Sequence, residues 1–125
     1  MTYLLDVSSL IAAIWQDHPD HAKVDLWIPG KSLATCPISE LGFLRISTHP
    51  KAINAPVGNA RSLLDRFLRS QHCAFVPDDM PALECRSSRS ESTTDLYLAE
   101  LASKHAMKLA ALDQRIAHPT VEVIG

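Results

Sequence analysis

Apolar positions along this chain change period several times, and each change marks an element. Residues 2–5 are a short apolar run ending at Asp6 and predict a strand. Leu10, Ile11, Ile14 and Trp15 then recur at helical spacing. After the turn residues 17–20 a second helix is predicted over 21–27, broken by Pro29 and Gly30. Residues 33–36 predict a second strand, stopped by Pro37. Residues 38–46 predict a helix with Ser39 as N-cap and with Leu41, Phe43 and Leu44 facing inward. Pro50 and Pro56 punctuate a loop over 49–56. Residues 58–70 predict an amphipathic helix, with Leu63, Leu64, Phe67 and Leu68 as its stripe and Arg61, Arg66 and Arg69 mostly off it. A third strand follows over 73–76, then a polar, mobile loop over 86–93 and a helix over 95–105 carrying Leu98, Leu101 and Ala102. A fourth strand over 108–112, a short helical turn over 114–117 and a last strand over 121–124 close the chain.

Strands alternating with helices predict an α/β fold: a mostly parallel sheet of about five short strands covered by helices on both faces. No repeat and no linker divides the chain, so residues 1–125 are expected to form a single domain. In such sheets sites form at the carboxyl ends of the strands, and this makes the positions of the acids informative.

Composition adds bounds to that picture. With 46% hydrophobic and 21% charged residues the chain is apolar enough to fold, and no apolar run approaches the ~20 residues of a membrane span. The N-terminus reaches Asp6 without a basic stretch, unlike a signal peptide. Cys36, Cys73 and Cys85 are an odd number with no C-x-x-C pair, which argues against a disulfide framework or a zinc ribbon and for the cytosol. The net charge of −2 counts at first against a nucleic-acid partner. Two divalent cations at an acidic cluster would bring four positive charges to the place where a phosphate would sit, so the balance does not decide the matter.

Four acids fall in equivalent places. Asp6 follows the first strand, Glu40 lies in the first turn of the helix after the second strand, Asp95 opens the helix behind the polar loop, and Asp113 follows the fourth strand. A parallel sheet delivers all four to one edge. Each of the last three also has an ordinary explanation, since acids in a first helical turn gain ~0.3–1 kcal/mol from the macrodipole. Asp6, between Leu5 and Val7, has a poorer local excuse. Clustered carboxylates stay ionised only around positive charge, and Mg²⁺ or Mn²⁺, one ion or two, suits an all-oxygen site that keeps waters for a phosphate. His18 and His21, with Asp17 and Asp20 beside them, suggest a transition-metal pair, but Pro19 and the turn argue against regular helical spacing.

The segment Leu4-Leu5-Asp6-Val7-Ser8-Ser9-Leu10-Ile11-Ala12 resembles the opening of PIN domains, with Asp followed two residues later by Asn, Ser or Thr. Ser39-Glu40-Leu41-Gly42-Phe43-Leu44-Arg45 resembles the internal Glu motif of VapC-type toxins, and Thr94-Asp95-Leu96-Tyr97-Leu98-Ala99-Glu100-Leu101-Ala102 their Thr-Asp helix. Leu109-Ala110-Ala111-Leu112-Asp113-Gln114-Arg115-Ile116 resembles their closing strand and Asp. Order and spacing match across nearly the whole chain. The resemblance implies a three-layer α/β/α PIN-like fold and a metal-dependent endoribonuclease that hydrolyses RNA with metal-activated water. It makes Asp6, Glu40, Asp95 and Asp113 the catalytic metal ligands. Ser8 would support them by hydrogen bonding, and so would Thr94, unless Thr94 simply caps its helix. A cognate antitoxin and a homodimer are the expected partners. The family often carries another acid or amide two residues after the last Asp, where this chain has Arg115. That departure weakens the case for a second metal.

Arg45, Arg86 and Arg89 are candidate RNA contacts, with ordinary solvation as the alternative for each. A catalytically degenerate PIN scaffold that binds RNA or protein without cutting is the alternative function, and Arg115 is its sequence support. A haloacid-dehalogenase-like phosphotransferase would want an Asp at Ser8, and a receiver domain an acidic pair before a mid-chain Asp.

Overall fold

A computed structural model describes all residues, 1–125. Five parallel strands form one sheet: β1 (Thr2–Leu5), β2 (Ser32–Thr35), β3 (Ala74–Phe75), β4 (Lys108–Ala111) and β5 (Val121–Val123), in the order β3-β2-β1-β4-β5. The helices are α1 (Val7–Ile14), α2 (His21–Trp27), α3 (Pro37–Thr48), α4 (Val57–Ser70) and α5 (Thr93–Lys104). The chain runs outward from β1 through β2 to β3 and then returns to the other side of β1 to lay down β4 and β5. The β1–β4 seam is therefore the topological switch point, where open parallel sheets form their crevice.

The period of two along each strand explains the layers. Leu4, Ala34 and Leu109 point to one face and pack with Leu98, Leu101 and Ala102 of α5. Their neighbours Leu5, Leu33 and Ala110 point to the other face and pack with Leu10, Ile11, Val24, Phe43 and Leu64 of α1 to α4. A one-residue slip of any strand would exchange its contacts between layers, so both buried faces fix the register. The result is the α/β/α arrangement expected from the sequence.

Several local expectations are corrected. Ser39 is not the N-cap of α3; Cys36 occupies that place, and Pro37 begins the helix. Proline suits the first helical position because that position has no use for an N–H. The Ser39 hydroxyl instead accepts from the Cys36 N–H at 3.1 Å. Leu41, expected inward, is 64% exposed, and the inward positions of α3 are Ser39, Phe43 and Ser47 at four-residue steps. Segment 86–93 is not all loop, since a 3₁₀ turn (Ser90–Ser92) leads directly into α5. Residues 114–117 form a turn but no helix.

Gly42 shows how closely α3 approaches α1. A Cβ at this position would lie 2.4 Å from Val7 Cγ2 and 3.0 Å from Cγ1. Val7 is β-branched and stiff in a helix, so it yields poorly. Gly42→Ala is expected to lower stability, because overpacking of roughly 1–3 kcal/mol outweighs the gain of up to about 1 kcal/mol in helix propensity. Urea unfolding of Gly42→Ala alone and with Val7→Ala checks this: the second change should restore most of the loss, and a stabilised single variant would contradict the close-packing account.

Candidate active site

Asp6 is the first residue past β1 and the N-cap of α1. Its Oδ1 accepts the Ser9 N–H at 2.8 Å, which satisfies one of the helix's free amides. The Asp6 N–H donates to the Ala110 carbonyl at 3.3 Å, and the Ser9 hydroxyl donates to that same carbonyl at 3.1 Å. Asp6 and Ser9 are thus tied to β4 across the switch-point seam. The Asp6 residue is only 2% exposed.

Burial dominates the electrostatics of this carboxyl. Desolvation raises its pKa to about 6 from an ordinary 3.8, opposed by the Ser9 hydrogen bonds and aided by the charges of Asp95 and Asp113. Asp95, third residue of α5, is half-buried, and its pKa is raised by desolvation and then by Asp113. Asp113, two residues past β4, is lowered by the hydrogen bonds of Arg115. The Arg115 Nε and Nη2 donate to Asp113 Oδ1 and Oδ2 at 3.0 and 3.1 Å, and its backbone N–H donates to Oδ1 at 2.8 Å. Three carboxylates thus lie within Coulombic reach of one another at the seam.

Glu40 stands one strand over. Its Oε2 accepts the hydroxyl of Thr35, the last residue of β2, at 2.7 Å. The carboxylates that act on Asp6 are Asp95 and Asp113, with Glu40 not among them. No three His, Cys, Asp or Glu side chains are gathered closely enough to hold a metal ion as they stand. The donor chemistry nonetheless fits a hard divalent cation: every candidate is a carboxylate, and two of them are pushed toward protonation by burial and mutual charge. Burial pushes the Cys36 and Cys73 thiols up, the latter to about 11, as it does for thiols packed among apolar side chains.

The remaining candidates are placed as follows. The supporting hydrogen bond assigned to Ser8 is made by Ser9, while Ser8 is exposed and lines a shallow cleft with His18, Asp20, Asp113, Gln114 and Arg115. An Asp N-cap is bonded by the amide of the second or third helical residue, here Ser8 or Ser9, so the cap rule admitted Ser9 without excluding Ser8. Thr94, second residue of α5, faces an apolar pocket with Ile38, Met80, Cys85 and Tyr97. Arg45 lies exposed in the last turn of α3, away from Glu40 in the first. Arg86 is exposed, and Arg89 pairs with Glu91, its Nε 2.7 Å from Oε1. Glu91 acts in turn on Arg115, a neighbour the sequence gave no reason to expect. His18 and His21 are engaged by backbone, His18 Nδ1 accepting from the Asp20 N–H and His21 Nδ1 lying 2.8 Å from the Ala12 carbonyl.

Residues 3–121 match the family described as PIN domain. The chain belongs to the PIN-domain family. Among similar PIN proteins, Ribonuclease VapC38 of Mycobacterium tuberculosis is 33% identical over 123 residues, covering 88% of this chain and 84% of its own. Ribonuclease VapC44 of the same species is 32% identical over 127 residues, covering 94% of this chain and 89% of its own. The fold is also similar to VapBC2 from Rickettsia felis, solved bound to a DNA fragment from their promoter, with a TM-score of 0.65 and 18% identity over 100% of both chains. That likeness bears on the fold alone. No helix of this PIN domain is long and apolar enough to cross a membrane.

The raised Asp6 pKa has a stability consequence. Between pH 3.8 and about 6 the folded chain holds a proton that the unfolded chain releases. Stability therefore falls as pH rises through that window, and the full cost stands above it. In chelator-treated protein, Asp6→Asn is expected to raise stability at pH 8 by roughly 1–3 kcal/mol, with the gain fading below pH 6. Thermal melts of both proteins from pH 4.5 to 8 check this; an unchanged or lower Tm for the variant at pH 8 would refute it.

Proposed function

We propose that this chain is a metal-dependent endoribonuclease of the VapC type, which hydrolyses RNA phosphodiester bonds and is held in check by a cognate antitoxin. One observation carries the reading: a carboxylate buried at the switch-point seam, with Asp95 and Asp113 bearing on it. A folded protein tolerates such a carboxylate at a cost, and a cation that needs it explains why the cost is borne. The VapC relatives supply the reaction class, and the antitoxin partner and the homodimer are what the resemblance of the four motifs implies.

Asp6, Asp95 and Asp113 would hold the ion, with Glu40 reaching it directly or through water. Mg²⁺ or Mn²⁺, bound there, would lower the pKa of water and meet the charge of the phosphate. The chain's own contribution is position. Asp6 is fixed from two sides, because Ser9 holds its Oδ1 and the Ala110 carbonyl anchors both its amide and the Ser9 hydroxyl. Thr35 orients Glu40 through a hydroxyl donated to Oε2, which leaves Oε1 for other partners. With the hydroxyl of Ser9 and the carboxylate of Asp6 both on this seam, the ligand geometry depends on β1 and β4 staying paired.

A second reading, the PIN scaffold that binds without cutting, is favoured by the Arg115 fork on both oxygens of Asp113. One experiment separates them. Cleavage of a mixed RNA pool with Mn²⁺ is expected for the wild type, to be abolished by chelation, and to fall at least ~100-fold in Asp6→Asn and in Asp95→Asn while both variants remain folded by circular dichroism. Wild-type protein that binds RNA but does not cut it with either Mg²⁺ or Mn²⁺ would move the conclusion to the scaffold.

A further inference from the structure

We propose that Arg115 is the divalent ion's built-in rival at this site: its guanidinium holds Asp113 by both carboxylate oxygens, and a cation takes Asp113 only by displacing it. The inference rests on the metal-site reading given under Proposed function. The fork is complete, with Nε on Oδ1 and Nη2 on Oδ2 at 3.0 and 3.1 Å, and the backbone N–H of the same residue adds a bond of 2.8 Å to Oδ1. A hard cation binds through the lone pairs that these donors occupy, and it is repelled by a guanidinium left beside it.

The pair is built for exchange rather than permanence. The Arg115 side chain is 90% exposed, so solvent and salt weaken its hold. The charge of Glu91, in the turn before α5, also acts on Arg115, although Glu91 is itself paired with Arg89. Displacement releases the guanidinium to solvent, where its charge stays hydrated. The backbone bond does not break in that movement, so Asp113 keeps its orientation while its outer lone pairs are freed. Arg115 also lines the shallow cleft beside His18, whose Nδ1 accepts a backbone hydrogen bond, so that a neutral imidazole there carries its proton on Nε2. The residue that competes for the ion thus stands on the approach to it and sets how much free cation the site needs.

Calorimetric titration with Mn²⁺ alone, at low ionic strength, tests this on the full chain. Arg115→Ala is expected to bind Mn²⁺ about 3–10-fold more tightly than wild type, with the gap narrowing as salt is added. Arg115→Lys, which keeps the charge and loses the fork, should gain less. Arg66→Ala, an equal change of charge on α4, should stay within about twofold of wild type. Binding by Arg115→Ala where wild type shows none would support the rivalry in its strongest form. Equal or weaker binding by Arg115→Ala, or an equal gain in Arg66→Ala, would overturn it while leaving the metal site standing. No binding by any variant would overturn the metal-site reading, and the rivalry with it.

Discussion

The burial of the Asp6 carboxylate at the β1–β4 seam is the constraint on which the rest of the site depends. A carboxyl 2% exposed, with its pKa raised to about 6, has only its capping bond to Ser9 as a local reason to be there. It is delivered there because β1 is the central strand and the chain turns at its end into α1, with Asp6 as the cap. The strand order then brings β4 alongside, so that Asp113 follows the neighbouring strand and Asp95 arrives on the helix that covers the α5 face. Strand order, cap and acid are a single arrangement, and moving β4 elsewhere in the sheet would separate the carboxylates.

The same constraint explains the small residues near the seam. Ser9 is fully buried and bonds both Asp6 and the Ala110 carbonyl, so it joins helix to sheet at the point of greatest electrostatic cost. Gly42 lets α3 lie against Val7, in the first turn of α1, which seats the helix bearing Glu40 beside the helix capped by Asp6. Ser47 closes the far end of that contact by accepting the indole N–H of Trp15 at 2.8 Å, while Trp15 stacks on Phe43.

These small residues mark where the sequence stopped being legible. The strands, their parallel pairing and the acids at their ends were readable, because Leu4, Leu5, Leu109 and Ala110 feed two apolar faces and leave no polar side to expose. The inward face of α3 was legible only in part: Phe43 is buried and Leu44 packs against the core as expected, but the other two buried residues are serines, and the pattern of leucines also pointed to the exposed Leu41. Hydrophobic periodicity reports burial only where burial is apolar; a helix that buys close approach with serine and glycine escapes it. Ser8, expected to support the acids by hydrogen bonding, lines the cleft beside Asp113, while the bond to Asp6 comes from Ser9. A motif fixes which position resembles a family, whereas cap geometry fixes which amide reaches the carboxylate.

Arg115 is where local chemistry and family pattern diverge most. An acid or amide at that position would add a donor to a cluster in which Asp6 and Asp95 are already pushed toward protonation. A guanidinium instead cancels one negative charge and lowers the Asp113 pKa, so one carboxylate of the cluster stays ionised without any cation. Its positive charge sits on one of the three carboxylates, whereas an added acid would set a further negative charge beside Asp6 and Asp95. In the proposed metal site, that positive charge comes at the expense of affinity for the ion.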